Sequence, residues 1–171
     1  MQPIIFVDLD GVLVDLWAGL EERLNKKIPF DNKKLFTEEF YKFIETLTPA
    51  ELTQFWVKLP PTADCFRIWN AVKPYKALIL TSVTNHQSSI YGKEIWCKNN
   101  LNIFSDRIYC SAKSTDKKNY ASKNSILIDD FIDNVVEWRE AGGIAIHHQD
   151  ADDTIRQIKD YISKLWKYDV Y

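Results

Sequence analysis

No stretch of this sequence approaches the roughly 18 consecutive apolar residues that a membrane-spanning helix needs. The start, MQPIIFVDLD, lacks both the basic residues and the long apolar core of a secretion signal. Cysteine is scarce: Cys65, Cys97 and Cys110 are odd in number, widely spaced and form no CxxC pair. That argues against a disulfide framework and a zinc site and leaves reduced thiols, so a cytoplasmic protein is expected. An excess of positive charge is also missing, since 22 Lys and Arg face 24 Asp and Glu for a net charge of -2. Neither a nucleic-acid polymer nor an anionic membrane is therefore an expected partner, and a small anionic ligand would have to be held locally. There is no internal repeat, low-complexity tract or glycine-serine linker.

What is present is ordinary globular material. Of 171 residues 46% are hydrophobic and 27% charged, enough for one well-buried core with a small insertion but too few for two full domains. Four continuous apolar runs, Ile4 to Leu9, Ala77 to Leu80, Ser125 to Ile128 and Ile144 to Ile146, suit strands buried on both faces, and Arg107 to Cys110 is a weaker fifth. Helix-like stretches separate them, which predicts an α/β fold: a three-layer, Rossmann-like parallel sheet with helices on both faces. Thr48, Pro49 and Glu51 spell a capping box with proline at the first helical position. Asp133 to Ala141 reads as a helix closed by Gly142-Gly143. Asp150 can cap a last helix whose Ile155, Ile158, Ile162 and Leu165 form one apolar stripe.

Residues 16–61 carry too much chain for a single crossover and read as a small helical insertion, a cap, after the first strand. The core would then comprise 1–15 and 62–171. The insertion is rich in aromatics: Trp17, Phe30, Phe36, Phe40, Tyr41, Phe43, Phe55 and Trp56. Most are expected to build its own core, with one or two left to line a pocket.

The chemistry concentrates at predicted strand ends, where open parallel sheets bind ligands. Asp8 and Asp10, followed by Gly11, close the first run; paired acids there are costly unless a cation neutralises them, and a hard divalent ion such as magnesium would do so. Thr81 and Ser82, after the second run, can donate hydroxyls to phosphate oxygens. Asp129 and Asp130 end the third run in the same topological position. If those strands are neighbours, acids and hydroxyls converge on one crevice.

In that order, DLDGVLVD, LILTS, a lysine-bearing segment and SILIDD resemble the motifs of the haloacid dehalogenase superfamily over residues 4–148. The resemblance implies that Asp8 is a nucleophile forming an aspartyl-phosphate and that Asp10 is the general acid and base. It also implies that Asp8, the main-chain carbonyl of Asp10, and Asp129 or Asp130 hold Mg2+. An aspartate at position 10 favours phosphatase over dehalogenase chemistry. The motif lysine is one of Lys113, Lys117 and Lys118, with Lys117 matching the spacing of close relatives best and Lys118 a substrate-binding candidate.

Phe55-Trp56, Leu59-Pro60-Pro61 and the Leu-Ile-Asp-Asp ending are similar to the 5'(3')-deoxyribonucleotidase branch. That likeness implies a nucleoside monophosphate as the small phosphorylated substrate, with Trp17 and Trp56 as stacking faces, each worth about 1–3 kcal/mol per base if free. Asn85 and His86 either reach the substrate or cap the next helix, while His147 and His148 end a strand. Two alternatives stand beside this reading: the same chemistry on another small metabolite phosphate, and a non-catalytic binding domain that keeps the fold.

Overall fold

The computed structural model describes residues 3–84 and 86–167, without the side chains of 165–167; Asn85 and the Leu165 side chain therefore lie outside what is described below. Five strands form one sheet: β1 (Ile4–Val7), β2 (Leu78–Ser82), β3 (Ile108–Ser111), β4 (Ser125–Asp129) and β5 (Ile144–His147). Their order is β3-β2-β1-β4-β5 and every pairing is parallel. Val7 is in register with Ile79 on one side and Ile128 on the other, so β1, β2 and β4 stop at the same edge.

Side-chain alternation explains why these runs are apolar throughout. Ile5, Val7, Ile79, Ile126, Ile128 and Ile146 face the larger core, while Phe6, Leu80, Leu127 and Ala145 face the smaller one. The larger core is completed by α4 (Cys65–Val72), α5 (Gln87–Leu101) and α7 (Ala151–Lys167). Val135 and Trp138 of α6 (Ile132–Glu140) cover the other face. Strand order proceeds outward from β1 in both directions, so right-handed connections fall on opposite faces and leave a crevice beyond the β1 carboxyl end.

Three more helices precede β2: α1 (Leu16–Leu24), α2 (Lys33–Glu45) and α3 (Pro49–Val57). The expected capping box starts α3, with Thr48 Oγ1 accepting from the Glu51 N-H and Glu51 Oε2 accepting from the Thr48 N-H at 2.9 Å. Helix α3 lies directly on α5: a Cβ on Gly92 would sit 2.5 Å from Trp56 Cβ and 2.9 Å from the Thr53 carbonyl oxygen. Past α6 the chain turns at Gly142 with φ +90°, as its glycine pair predicts. Asp150 Oδ1 accepts the Asp153 N-H at 2.9 Å at the start of α7. Among the described residues no helix is long and apolar enough to cross a membrane. All three thiols are free.

The short 3-10 helices have no counterpart in the sequence expectations, and one of them bears on the site. Between β3 and β4 the polar stretch Ser114–Tyr120 forms a 3-10 helix whose Lys117 alone is buried.

Candidate active site

The first strand delivers its acids through a tight loop. The Asp8 N-H donates to the Ile128 carbonyl at 2.9 Å, extending the ladder with β4 by one residue. The Leu13 and Val14 N-H groups then both return to the Leu9 carbonyl, and the Gly11 N-H donates to Val14. This reversal needs φ +83° at Gly11, and a Cβ there would lie 2.3 Å from an Asp130 carboxylate oxygen. Glycine is thus required both by the backbone and by the closeness of β4.

Three carboxylates meet at the resulting edge. Asp8, Asp129 and Asp130 each offer one oxygen, and those oxygens lie within 4.8 Å of one another. Asp129, fully buried, accepts from the Phe131 N-H at 2.9 Å and from the Asn134 amide at 3.0 and 3.1 Å. The Asp130 carbonyl is 3.0 Å from His147 Nε2 at the end of β5. Burial, reinforced by Asp129, Asp10 and Asp130, drives the Asp8 carboxyl well above its ordinary range despite opposition from Lys117. Burial and Asp129 likewise push Asp130 up to about 6. A desolvated cluster of acids is electrostatically incomplete by itself, and its all-oxygen donor set fits a hard divalent ion such as magnesium.

Lys117 supplies the compensating charge on the protein's side. The residue is 1% exposed, and its ammonium is 2.8 Å from Asp8 Oδ1 and 2.8 Å from Asp129 Oδ2. Burial disfavours that charge, but Asp8 and Asp129 outweigh it and hold the lysine above its ordinary value. The other two lysines are not brought here. Lys113 is exposed, and Lys118 faces Glu137 of α6 at 3.5 Å instead of joining the acids. In a 3-10 helix neighbours diverge by about 120°, so Lys117 and Lys118 cannot share a pocket.

Thr81 and Ser82 close β2 beside β1, as the motif order predicts, and Thr81 is fully buried. Both already engage a residue that the sequence reading passed over: Lys93 of α5, whose ammonium donates to Thr81 Oγ1 at 2.9 Å, to the Ser82 carbonyl at 2.8 Å and to Asp10 Oδ2 at 2.5 Å. The signal was present. Buried positions 89, 92, 93, 96 and 97 trace one helical stripe, and a lysine on such a stripe is a charge out of place.

The aromatic candidates need correction. Trp56 is 3% exposed, donates its indole N-H to Ser89 Oγ at 2.9 Å and lies over the Lys93 ammonium, so it presents no open face. Trp17 is half-buried, with one face on Phe36 at 4.1 Å between ring centroids and its N-H given to the Ile28 carbonyl. Both serve the packing of α1, α2 and α3. His86 precedes α5 without a side-chain capping bond, and His147 ends β5.

No family model matches the chain, and no curated protein matches it either. Solved structures do. A hydrolase from Streptococcus pneumoniae is 14% identical with a TM-score of 0.53, covering 94% of this chain and 100% of that one. CbbY from Rhodobacter sphaeroides, in complex with xylulose 1,5-bisphosphate, is 13% identical with a TM-score of 0.52, covering 85% of each chain. A predicted phosphatase from Clostridium acetobutylicum is 14% identical with a TM-score of 0.51, covering 94% of this chain and 99% of that one. At such identities the likeness is one of architecture: this chain shares its Rossmann-like parallel α/β fold with these hydrolases.

Proposed function

We propose that the protein is a magnesium-dependent phosphomonoester hydrolase. The observation that carries this reading is the buried Asp8-Lys117-Asp129 arrangement, with Asp130 alongside, at the carboxyl edge of adjacent parallel strands. A purely structural ion pair would not place a third carboxylate against two others.

In this reading Asp8 attacks phosphorus and Asp10 protonates the departing oxygen, giving an alcohol and an aspartyl-phosphate. Asp10 then takes a proton from water, which releases inorganic phosphate and restores both acids. Lys117 opposes the pull of burial on Asp8, favouring its charged form, and neutralises phosphate charge. Asp8, Asp129 and Asp130 would hold Mg2+, which supplies charge neutralisation and orientation of the phosphate when bound. Residues 16–61 form the cap over a core of 1–15 and 62–171, and a reducing, cytoplasmic setting suits the free thiols.

For the substrate, the resemblance to deoxyribonucleotidases supports a nucleoside monophosphate. A specific observation favours the second reading, another small metabolite phosphate: Trp56 is buried and offers a base no free ring, and one face of Trp17 is taken by Phe36. CbbY, of similar fold, holds a sugar bisphosphate. Phosphate release from panels of nucleoside monophosphates and sugar phosphates, with and without Mg2+, separates the two. Asp8→Asn is expected to abolish release from every member; undiminished turnover in that variant would refute Asp8 as the nucleophile.

A further inference from the structure

A lysine side chain that is 2% exposed needs compensation, and Lys93 has it from three directions. Its ammonium contacts Asp10 Oδ2, Thr81 Oγ1 and the Ser82 carbonyl, which satisfies its three donors. The Trp56 ring covers it at 4.5 Å from the centroid and keeps water away. Trp56 is itself pinned by Ser89, whose Oγ also meets Thr84 Oγ1 at 2.5 Å. Gly92 permits this roof, because any side chain there would strike Trp56. The acid it holds is asymmetric: Oδ2 of Asp10 is bound to Lys93, whereas Oδ1 is buried and has no hydrogen-bond partner among the described residues.

We propose that Lys93 is the positioning residue of the proton-transfer step, fixing Asp10 by Oδ2 and leaving Oδ1 as the oxygen that exchanges the proton. The inference rests on the reading of Asp10 as general acid and base given above. As the bond from phosphorus to the leaving oxygen breaks, the proton on Asp10 Oδ1 passes to that oxygen, and the carboxylate left behind is neutralised by the ammonium on its other side. When water attacks the aspartyl-phosphate, Oδ1 takes a proton back, and Asp8 regains its carboxylate. Throughout, Lys93 keeps its own proton and touches no reacting atom. Its contribution is to stop the Asp10 side chain from rotating, through a contact that also ties it to the Thr81-Ser82 corner on which phosphate would rest.

The test uses the contrast between leaving groups. An alkyl phosphate, here whichever nucleoside or sugar monophosphate the enzyme turns over best, releases an alkoxide that must be protonated, whereas p-nitrophenyl phosphate releases a phenolate that need not be. Lys93→Met is expected to lower kcat/KM for the alkyl substrate about 100-fold or more, and that for p-nitrophenyl phosphate by less than about tenfold, with Lys93→Arg recovering part of the loss. Equal losses on both substrates, or none on either, would overturn the assignment. Should Lys93→Met fail to fold, Lys93→Gln, which keeps a donor for Thr81 and Ser82, reads the same contrast. Asp10→Asn in the same pair of assays separates the two levels: without the contrast there, the acid role of Asp10 fails; with it there but not at Lys93, only the positioning role fails.

Discussion

Replacing Lys117 by methionine keeps the volume of the side chain and removes only its charge. The ammonium lies 2.8 Å from each of two carboxylates. At an effective dielectric of about 20 each contact is worth roughly 6 kcal/mol of gross attraction. Desolvation of the ammonium cancels much of that, and removing one partner of a buried ion pair typically costs about 3–5 kcal/mol. For a chain of this length the melting temperature should fall by roughly 6–20 °C in EDTA near neutral pH. Magnesium should restore more stability to the variant than to the parent, because Asp8 and Asp129 would then lack any protein cation; about 2.7 kcal/mol is available at a hundredfold excess over Kd. Differential scanning calorimetry with and without Mg2+ reads both quantities, and phosphate release should be lost in either condition. A Lys117→Met protein that melts with the parent in EDTA and responds equally to Mg2+ would refute this account of the charge balance.

Gly11→Ala should cost about 1–3 kcal/mol from its positive φ, and should weaken Mg2+ binding in titration calorimetry by displacing the Asp130 carboxylate; unchanged affinity would show that Asp130 need not lie where it does. His148 bears on pH, since burial holds it below the ordinary 6.5 while its Nδ1 meets Thr154 Oγ1 at 2.9 Å. Below that value the unfolded chain takes up a proton that the folded one refuses, so this contribution to stability is intact above 6.5 and is lost as pH falls. Melting curves of the parent and His148→Asn at about pH 7.5 and about pH 5.5 should show the larger drop in the parent; parallel drops would exclude it.

Why some of this was legible in the sequence and some was not follows from what each residue packs against. Runs such as Ile126-Leu127-Ile128 announce their strand because both faces of the sheet are covered, so no polar residue interrupts them. The edge strand β3 is fainter because Tyr109 is 38% exposed and Cys110 is half-buried. The 3-10 helix Ser114–Tyr120 was hidden, since a polar stretch with one buried lysine has no apolar period to detect. At the site, motif order anticipated that Asp8 and the Asp129-Asp130 pair would share one edge, whereas Lys117 stood as one of three lysines until its burial beside Asp8 and Asp129 was seen. Trp56 was misassigned because an indole on the stripe Leu52, Phe55 and Trp56 reads alike whether it faces a ligand or another helix. Lys93 was missed because a single charge within a helical stripe looks like surface until its neighbours prove buried.

The closeness of α3 and α5 at Gly92 couples the helices that precede β2 to Asp10. With Trp56 wedged against the glycine and hydrogen-bonded to Ser89, α3 cannot swing without uncovering Lys93 and disturbing Asp10. Helix α2 is joined to the same clamp, because Phe40 meets the Trp56 ring at 6.0 Å and Phe36 lies 6.3 Å beyond it. A change of packing in α2 would therefore reach Asp10 through Phe40, Trp56 and Lys93 in turn.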